Sequence, residues 1–345
     1  MDNNVSLIFS NYKLESSFKD KLKSDFYDKN CFIESLGEFL LVCEYAGRIC
    51  YNSGLSGKNN RDSFEYHKHI IESKHYSIYG HINFSVRINL INETNTLFYL
   101  LIFDLLSHFP RIYVRKEDYF LYLNISLRHV IEFLSSKQTK PLFMSLIVKN
   151  ILEKYGDKID FVNIFFEQEI DNIVQEVNFY FSHDLSHKIK VLDYDYFEWY
   201  TFEIETSRRI ANELIRHNTE YAVSQESTRY VDVRDYPMIR YKIYNSSNDL
   251  ETLKDLNILE YKSYINSLST YKQVFDNLCN LYPNMNKKYI RGYSADLLPL
   301  GLKTRLVISF TKWQLEKIFE QRISEHADPL MKDLAVKIKS LINSN

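Results

Sequence analysis

The sequence predicts an α+β fold, and three observations carry that prediction. Strand-like alternation of apolar and polar residues occurs near both ends, over 82–88, 201–205 and 302–310. Helix-like spacing dominates 89–200 and returns over 248–281 and 311–343. No fixed-period repeat is present, and no apolar stretch approaches the ~18 residues of a membrane span.

Taken in order, 1–87 mixes short apolar runs with a loop at 52–62 rich in Asn, Ser and Gly, a composition that favours turns. The stretch 63–71 places Phe64, Ile70 and Ile71 on one helix face, and 82–88 reads as a half-buried strand. Residues 89–200 read as a separate helical block. Within it 121–134 carries apolar groups three and four apart, and 141–155 is opened by Pro141 and closed by Gly156. After the alternating 201–205, Ser207 is a candidate cap for a helix running to His217. A long helical pattern over 248–281 ends before Pro283, and the strand at 302–310 follows. The helical 311–343 breaks at Asp328-Pro329, because proline disfavours helix at the residue before it.

A chain of 345 residues suits one large domain or two ordinary ones. With 43 Lys plus Arg against 45 Asp plus Glu, a global basic surface for duplex nucleic acid is excluded, and no stable nucleic-acid partner is expected. A local anion pocket needs only a few guanidinium forks. Cys31, Cys43, Cys50 and Cys279 match neither metal-pair nor disulfide spacing, so free thiols and no metal are expected. With no cleavable leader pattern, the expectation is a cytoplasmic protein without membrane attachment.

Chemistry concentrates late in the chain. Arg216 and His217 end a helix, and Ser224-Gln225-Glu226-Ser227-Thr228-Arg229 follows after the apolar Ala222-Val223. Arginine forks suit a phosphate, and amide and hydroxyl groups suit the edges of a heterocycle. The same residues also fit a solvated helix end followed by a Ser/Thr-rich turn.

Read together, Arg216-His217 and Ser227-Thr228-Arg229-Tyr230 resemble the flavin-dependent thymidylate synthases, whose Arg-His-Arg triplet precedes a Ser-x-Arg-Tyr ending. Here the third position is Asn218 and the spacing is longer by one residue. Gly47-Arg48-Ile49-Cys50-Tyr51-Asn52-Ser53 resembles the family's Ala-Arg-x-Cys-Tyr-x-Ser. Lys74-His75-Tyr76-Ser77-Ile78-Tyr79-Gly80-His81 resembles Gly-His-x-Ser-x-x-Glu-His, with Gly80 in place of Glu. Leu298-Pro299 leading to Thr304, and Arg322 ahead of Ala327-Asp328-Pro329, are similar to later family segments. Ala295 stands where an arginine is expected, with Arg291 one turn upstream, and Thr311 and Trp313 replace an Asn-x-Arg pair. The stretch Asn124 to Phe133, containing Arg128, resembles that missing Asn-x-Arg helix.

The resemblance covers roughly 45–87 and 200–335. It implies a mixed sheet flanked by helices, with 1–88 and 201–345 forming the catalytic domain and 89–200 a helical insertion. It implies reductive methylation of dUMP to dTMP, FAD as cofactor, NADPH and methylenetetrahydrofolate as co-substrates, and a homotetramer. His75, Ser77, Arg216, His217, Asn218, Gln225 and Arg128 are then assigned to the flavin. Glu213, Arg216, Gln225, Glu226, Ser227, Thr228, Arg229, Arg291 and Arg322 are assigned to the nucleotide. Arg322 and Ser227 stand at the reacting ring, Arg322 stabilising charge on the pyrimidine and Ser227 binding rather than attacking. The departures keep two alternatives open: a flavoenzyme modifying C5 of another pyrimidine nucleotide, and a non-catalytic scaffold.

Overall fold

The computed structural model describes residues 3–10, 12–19, 37–51, 62–90, 96–136, 141–180, 188–217, 222–239 and 250–344. Asn218, Cys31, Asn52 and Ser53 lie outside the described residues.

The chain opens with β1 (Asn4–Ser10) and the short β2 (Lys13–Leu14), then α1 (Glu38–Tyr51) and α2 (Ser63–Glu72). The Asp62 carboxylate accepts from the Glu65 amide and starts α2, as an N-cap should. Gly47 lets α1 approach α2, since a Cβ there would sit 2.0 Å from the Tyr66 hydroxyl. A 3-10 turn, Tyr76–His81, leads into β3 (Asn83–Asn89).

The expected helical insertion supplies α3 (Thr96–His108), then two strands, β4 (Tyr113–Glu117) and β5 (Phe120–Ser126), before α4 (Leu127–Ser135). It continues with α5 (Leu142–Tyr155), α6 (Asp160–Phe165), α7 (Glu167–Tyr180) and a third strand, β6 (Ile189–Val191). The helical reading of 121–134 is therefore corrected: its first half is strand and its second half helix. Leu121, Leu123 and Ile125 satisfy a period of two as well as a helical spacing. Ser126 ends the ambiguity by capping α4 in a reciprocal box with His129.

The last part of the chain follows the sequence reading closely. It comprises β7 (Trp199–Ser207), α8 (Arg208–Ile215), β8 (Val223–Gln225), α9 (Leu250–Leu281), α10 (Lys287–Ser294), β9 (Lys303–Thr311), α11 (Lys312–Arg322) and α12 (Pro329–Asn343). Ser207 caps α8 through the Ile210 amide, and Asp328 caps α12 with Pro329 at its first turn.

Two sheets result, in the orders β2-β1-β7-β9-β8 and β4-β5-β3-β6. The α+β class with flanking helices stands, but every pairing between the described strands is antiparallel rather than mixed. The 89–200 stretch is not a separate block. Its β5 and β6 flank β3, and Phe143, Ile147 and Phe161 share one buried core with Phe39 and Tyr45 of α1.

Strand alternation gives the five-stranded sheet two distinct faces. Phe202, Ile204, Leu306, Ile308 and Phe310 pack against α8, α11 and α12 through Ile210, Leu214, Leu315 and Leu334. Thr201, Val307 and Ser309 alternate to the opposite face, where Val307 joins the core that holds α1 and the insertion.

Candidate functional site

The expected residues gather in two clusters, one on each side of the five-stranded sheet. On the helical face, Arg322 at the end of α11 donates from Nε to His217 Nε2 at 3.1 Å and pairs through Nη1 with Glu213 Oε1 at 2.9 Å. Glu213 lies on α8 and His217 just beyond it, one helical turn apart, which puts both on one face. As the acceptor of that bond, His217 is neutral. Its pKa is lowered first by burial and then by the Arg322 charge. Arg216 sits beside this trio at the helix C-cap with its side chain exposed.

On the opposite face three segments far apart in sequence converge. The Ser227 amide donates to the Cys50 carbonyl at 3.0 Å, so the Ser-Thr-Arg-Tyr turn is hung on the end of α1. The Tyr51 and Tyr230 rings meet edge to face at 4.8 Å, and the Tyr51 hydroxyl lies 3.3 Å from His75 Nδ1. Segments 47–51, 74–81 and 224–230 thereby form one surface. His75 and Ser77 are exposed on it, Ser227 and Thr228 half-buried, and Arg229 exposed. Arg291 on α10 donates to the Tyr230 carbonyl at 3.3 Å.

A buried polar chain fixes this face. His81 is fully buried and bridges the Ser309 hydroxyl at 2.9 Å and the Ser224 hydroxyl at 3.0 Å. Ser309 meets the Thr201 hydroxyl at 2.8 Å. Burial alone pushes the His81 pKa down to about 3, so the imidazole is neutral and both nitrogens serve as hydrogen-bond partners. His81 therefore locks the 3-10 turn carrying Ser77 to the strand β8 that precedes Ser227. Cys50 also borders Ser224, and burial raises its thiol to about 11, which leaves it unreactive.

The remaining expected residues fall into place around these clusters. Gln225 donates to the Thr304 hydroxyl at 3.2 Å. Glu226 is buried, its amide bonded to the Arg305 carbonyl and its carboxylate accepting from the Tyr236 hydroxyl at 2.8 Å. Burial raises its pKa, and the Tyr236 hydrogen bond opposes that rise. Glu226 thus points into the protein. Arg128 lies on α4, paired with Glu132 at 2.6 Å, and borders with Gly80 and Asn124 a cavity of about 20 Å³. Asn124 lies on β5, not on the Asn-x-Arg helix its sequence suggested. Thr311 caps α11 with Gln314, and Trp313 carries the Lys317 ammonium 3.6 Å from its ring centre.

His81 and Ser224 lie within the sequence motifs, and nothing local marks a role for either. The available signal was Thr201 between Tyr200 and Phe202 and Ser309 between Ile308 and Phe310, because a hydroxyl buried there requires a partner.

Among the described residues no group of His, Cys, Asp and Glu is arranged to hold a metal ion, and no helix is long and apolar enough to cross a membrane. No curated protein matches the chain. The sequence profile of a family described as thymidylate synthase complementing protein matches residues 197–344, the span that carries β7 through α12 and both halves of the Arg216-to-Tyr230 motif. Residues 197–344, then, are similar to the thymidylate synthase complementing protein family, the flavin-dependent one.

Proposed function

We propose that the protein is a flavin-dependent thymidylate synthase that methylates dUMP to dTMP with methylenetetrahydrofolate and reduced FAD, NADPH supplying the electrons. One observation carries this reading beyond the family match: Cys50-Tyr51, His75 and Ser227-Tyr230 meet on one surface although the family profile covers only the last of them. Independent segments with a shared chemical resemblance have no packing reason to converge on an exposed surface. A common ligand supplies one.

The donor set fits a flavin dinucleotide. Arg216 is exposed at a helix end without a carboxylate partner among the described residues, and His75 and Ser77 present exposed donors two residues apart. Arginine suits the pyrophosphate, and the His and Ser groups suit the edge of the flavin or its ribityl chain. FAD, when bound, supplies the hydride, and the protein supplies position and charge. Ser227, Thr228 and Arg229 hold the nucleotide. Arg322, fixed by Glu213 and His217, lies ready to meet negative charge developing on the pyrimidine, a pre-set contribution that costs no reorganisation at the moment of reaction. Arg128 is the outlying member, since its guanidinium is held by Glu132.

Because the two clusters lie on opposite faces of one sheet, we read the active site as assembled between copies of the chain in a homotetramer. The outward apolar side chains of α9 support self-association: Leu256, Leu259 and Tyr261 are all more than half exposed. Rescue of a thymidine-requiring bacterial strain tests the reading, paired with release of FAD on denaturation of the yellow protein. Growth without thymidine is the expected result. Failure in a soluble, flavin-loaded form overturns thymidylate synthesis. A colourless protein favours the scaffold reading.

A further inference from the structure

The cations around Tyr230 are not equivalent. Asn286 caps α10, and the helix then runs alongside the Ser227-to-Tyr230 turn; a methyl group at Gly292 would lie 4.0 Å from Arg229 Cδ. One turn apart on this helix, Lys288 and Arg291 both face Tyr230. Arg291 is spent on structure. Its Nη1 donates to the Tyr230 carbonyl at 3.3 Å, its guanidinium carbon lies 5.8 Å from the Phe275 ring centre, and it adds to the positive field that depresses Asp232, behind Arg234. Lys288 is half-buried, with its ammonium 4.8 Å from the Tyr230 ring centre and no carboxylate partner among the described residues. Arg229 is likewise without one. The two acids that flank the turn in sequence are engaged elsewhere, Asp232 by Arg234 and Glu226 by Tyr236.

Two unpaired cations and the Ser227 hydroxyl therefore border one turn from which negative charge is withdrawn. An ammonium held over an aromatic face keeps its charge and its donors while giving up little freedom when an anion arrives. From this we infer that Lys288, with Arg229, binds the 5′-phosphate of the pyrimidine nucleotide, and that Arg291 is a positioning residue that holds the Tyr230 turn. The inference rests on the placement of a nucleotide at Ser227, and it moves the second phosphate contact from Arg291, where the sequence put it, to Lys288.

The test is equilibrium binding of dUMP, dCMP and the corresponding nucleosides to the full-length protein and its variants. The wild type is expected to bind a monophosphate at least tenfold more tightly than its nucleoside. Lys288→Gln is expected to lose most of that preference with nucleoside affinity unchanged, and Lys288→Arg to restore it. Arg291→Gln is expected to weaken monophosphate and nucleoside alike, the signature of a displaced turn. If Lys288→Gln keeps the wild-type preference, the Lys288 assignment falls while nucleotide binding stands. If the wild type binds none of the four compounds, the Ser227 nucleotide site falls and the Lys288 assignment falls with it. A thermal melt of each variant identifies any that fail to fold, and for these Lys288→Met takes the place of Lys288→Gln.

Discussion

The two faces of the five-stranded sheet solve the problem of presenting charge in opposite ways. On the helical face, Arg322, Glu213 and His217 satisfy one another, so the guanidinium is oriented and its charge offset before any ligand is present. On the other face the polar machinery is anchored through backbone groups, such as the Ser227 amide on Cys50, while Arg229 and Lys288 keep their charges unpaired. The first arrangement fixes direction, and the second leaves positive charge without a carboxylate partner among the described residues. The half-exposed trio adds little to stability, since such pairs are worth about 0–1 kcal/mol. The buried His81 chain is a different matter, because an unmade hydrogen bond at depth costs far more than a made one returns.

That contrast can be broken most severely at His81. His81→Leu strips one hydrogen-bond partner from the Ser224 hydroxyl and one from Ser309, and should cost about 2–4 kcal/mol in urea unfolding. A loss below about 1 kcal/mol would mean that the chain does not hold the open face.

A smaller effect is expected with pH. The His81 pKa falls from an ordinary value near 6.5 to about 3 on folding, so below pH 6.5 the unfolded chain takes up a proton that the native chain refuses. Stability contributed by neutral His81 is present above that pH and is lost as pH falls. The stability gap between wild type and His81→Asn should therefore narrow by about 2 kcal/mol from pH 7 to pH 5. A gap that holds constant or widens would contradict a neutral, buried His81.

The smallest effect belongs to the compensated face. Glu213→Gln removes the carboxylate that raises the His217 pKa and leaves burial, Arg322 and Arg216, all of which lower it. The His217 pKa should drop further, read by NMR titration, with stability changed by less than about 1 kcal/mol. An upward move would mean that Arg322 leaves the trio once Glu213 is neutral.

Much of the fold was legible because local rules and tertiary needs agreed. Ser207 and Asp328 cap the helices their sequences suggested, and the alternation of 201–205 and 302–310 became β7 and β9. Legibility failed at 121–134, where three apolar residues fit both periods and only pairing with β3 and β4 selects the strand. For the proposed site, Ser227, Arg229, His75 and Arg322 were visible as motif residues. The proposed role of Lys288 was not, since a lysine early in a surface helix has no local mark of function.

By itself the sequence determined the α+β class, the helix ends, the near-neutral charge that rules out a global basic surface, and the residue types at the site. Those properties depend on neighbours a few positions apart, whose spacing fixes backbone periodicity and capping. Only the tertiary structure decided which residues share a face. It put Glu213 against Arg322, hung Ser227 on Cys50, and tied His81 to Ser224 across 143 positions. Each such contact is set by strand order and side-chain parity in a sheet. A change of one residue in register would have turned Ser224 and Ser309 away from His81 and left all three buried without partners.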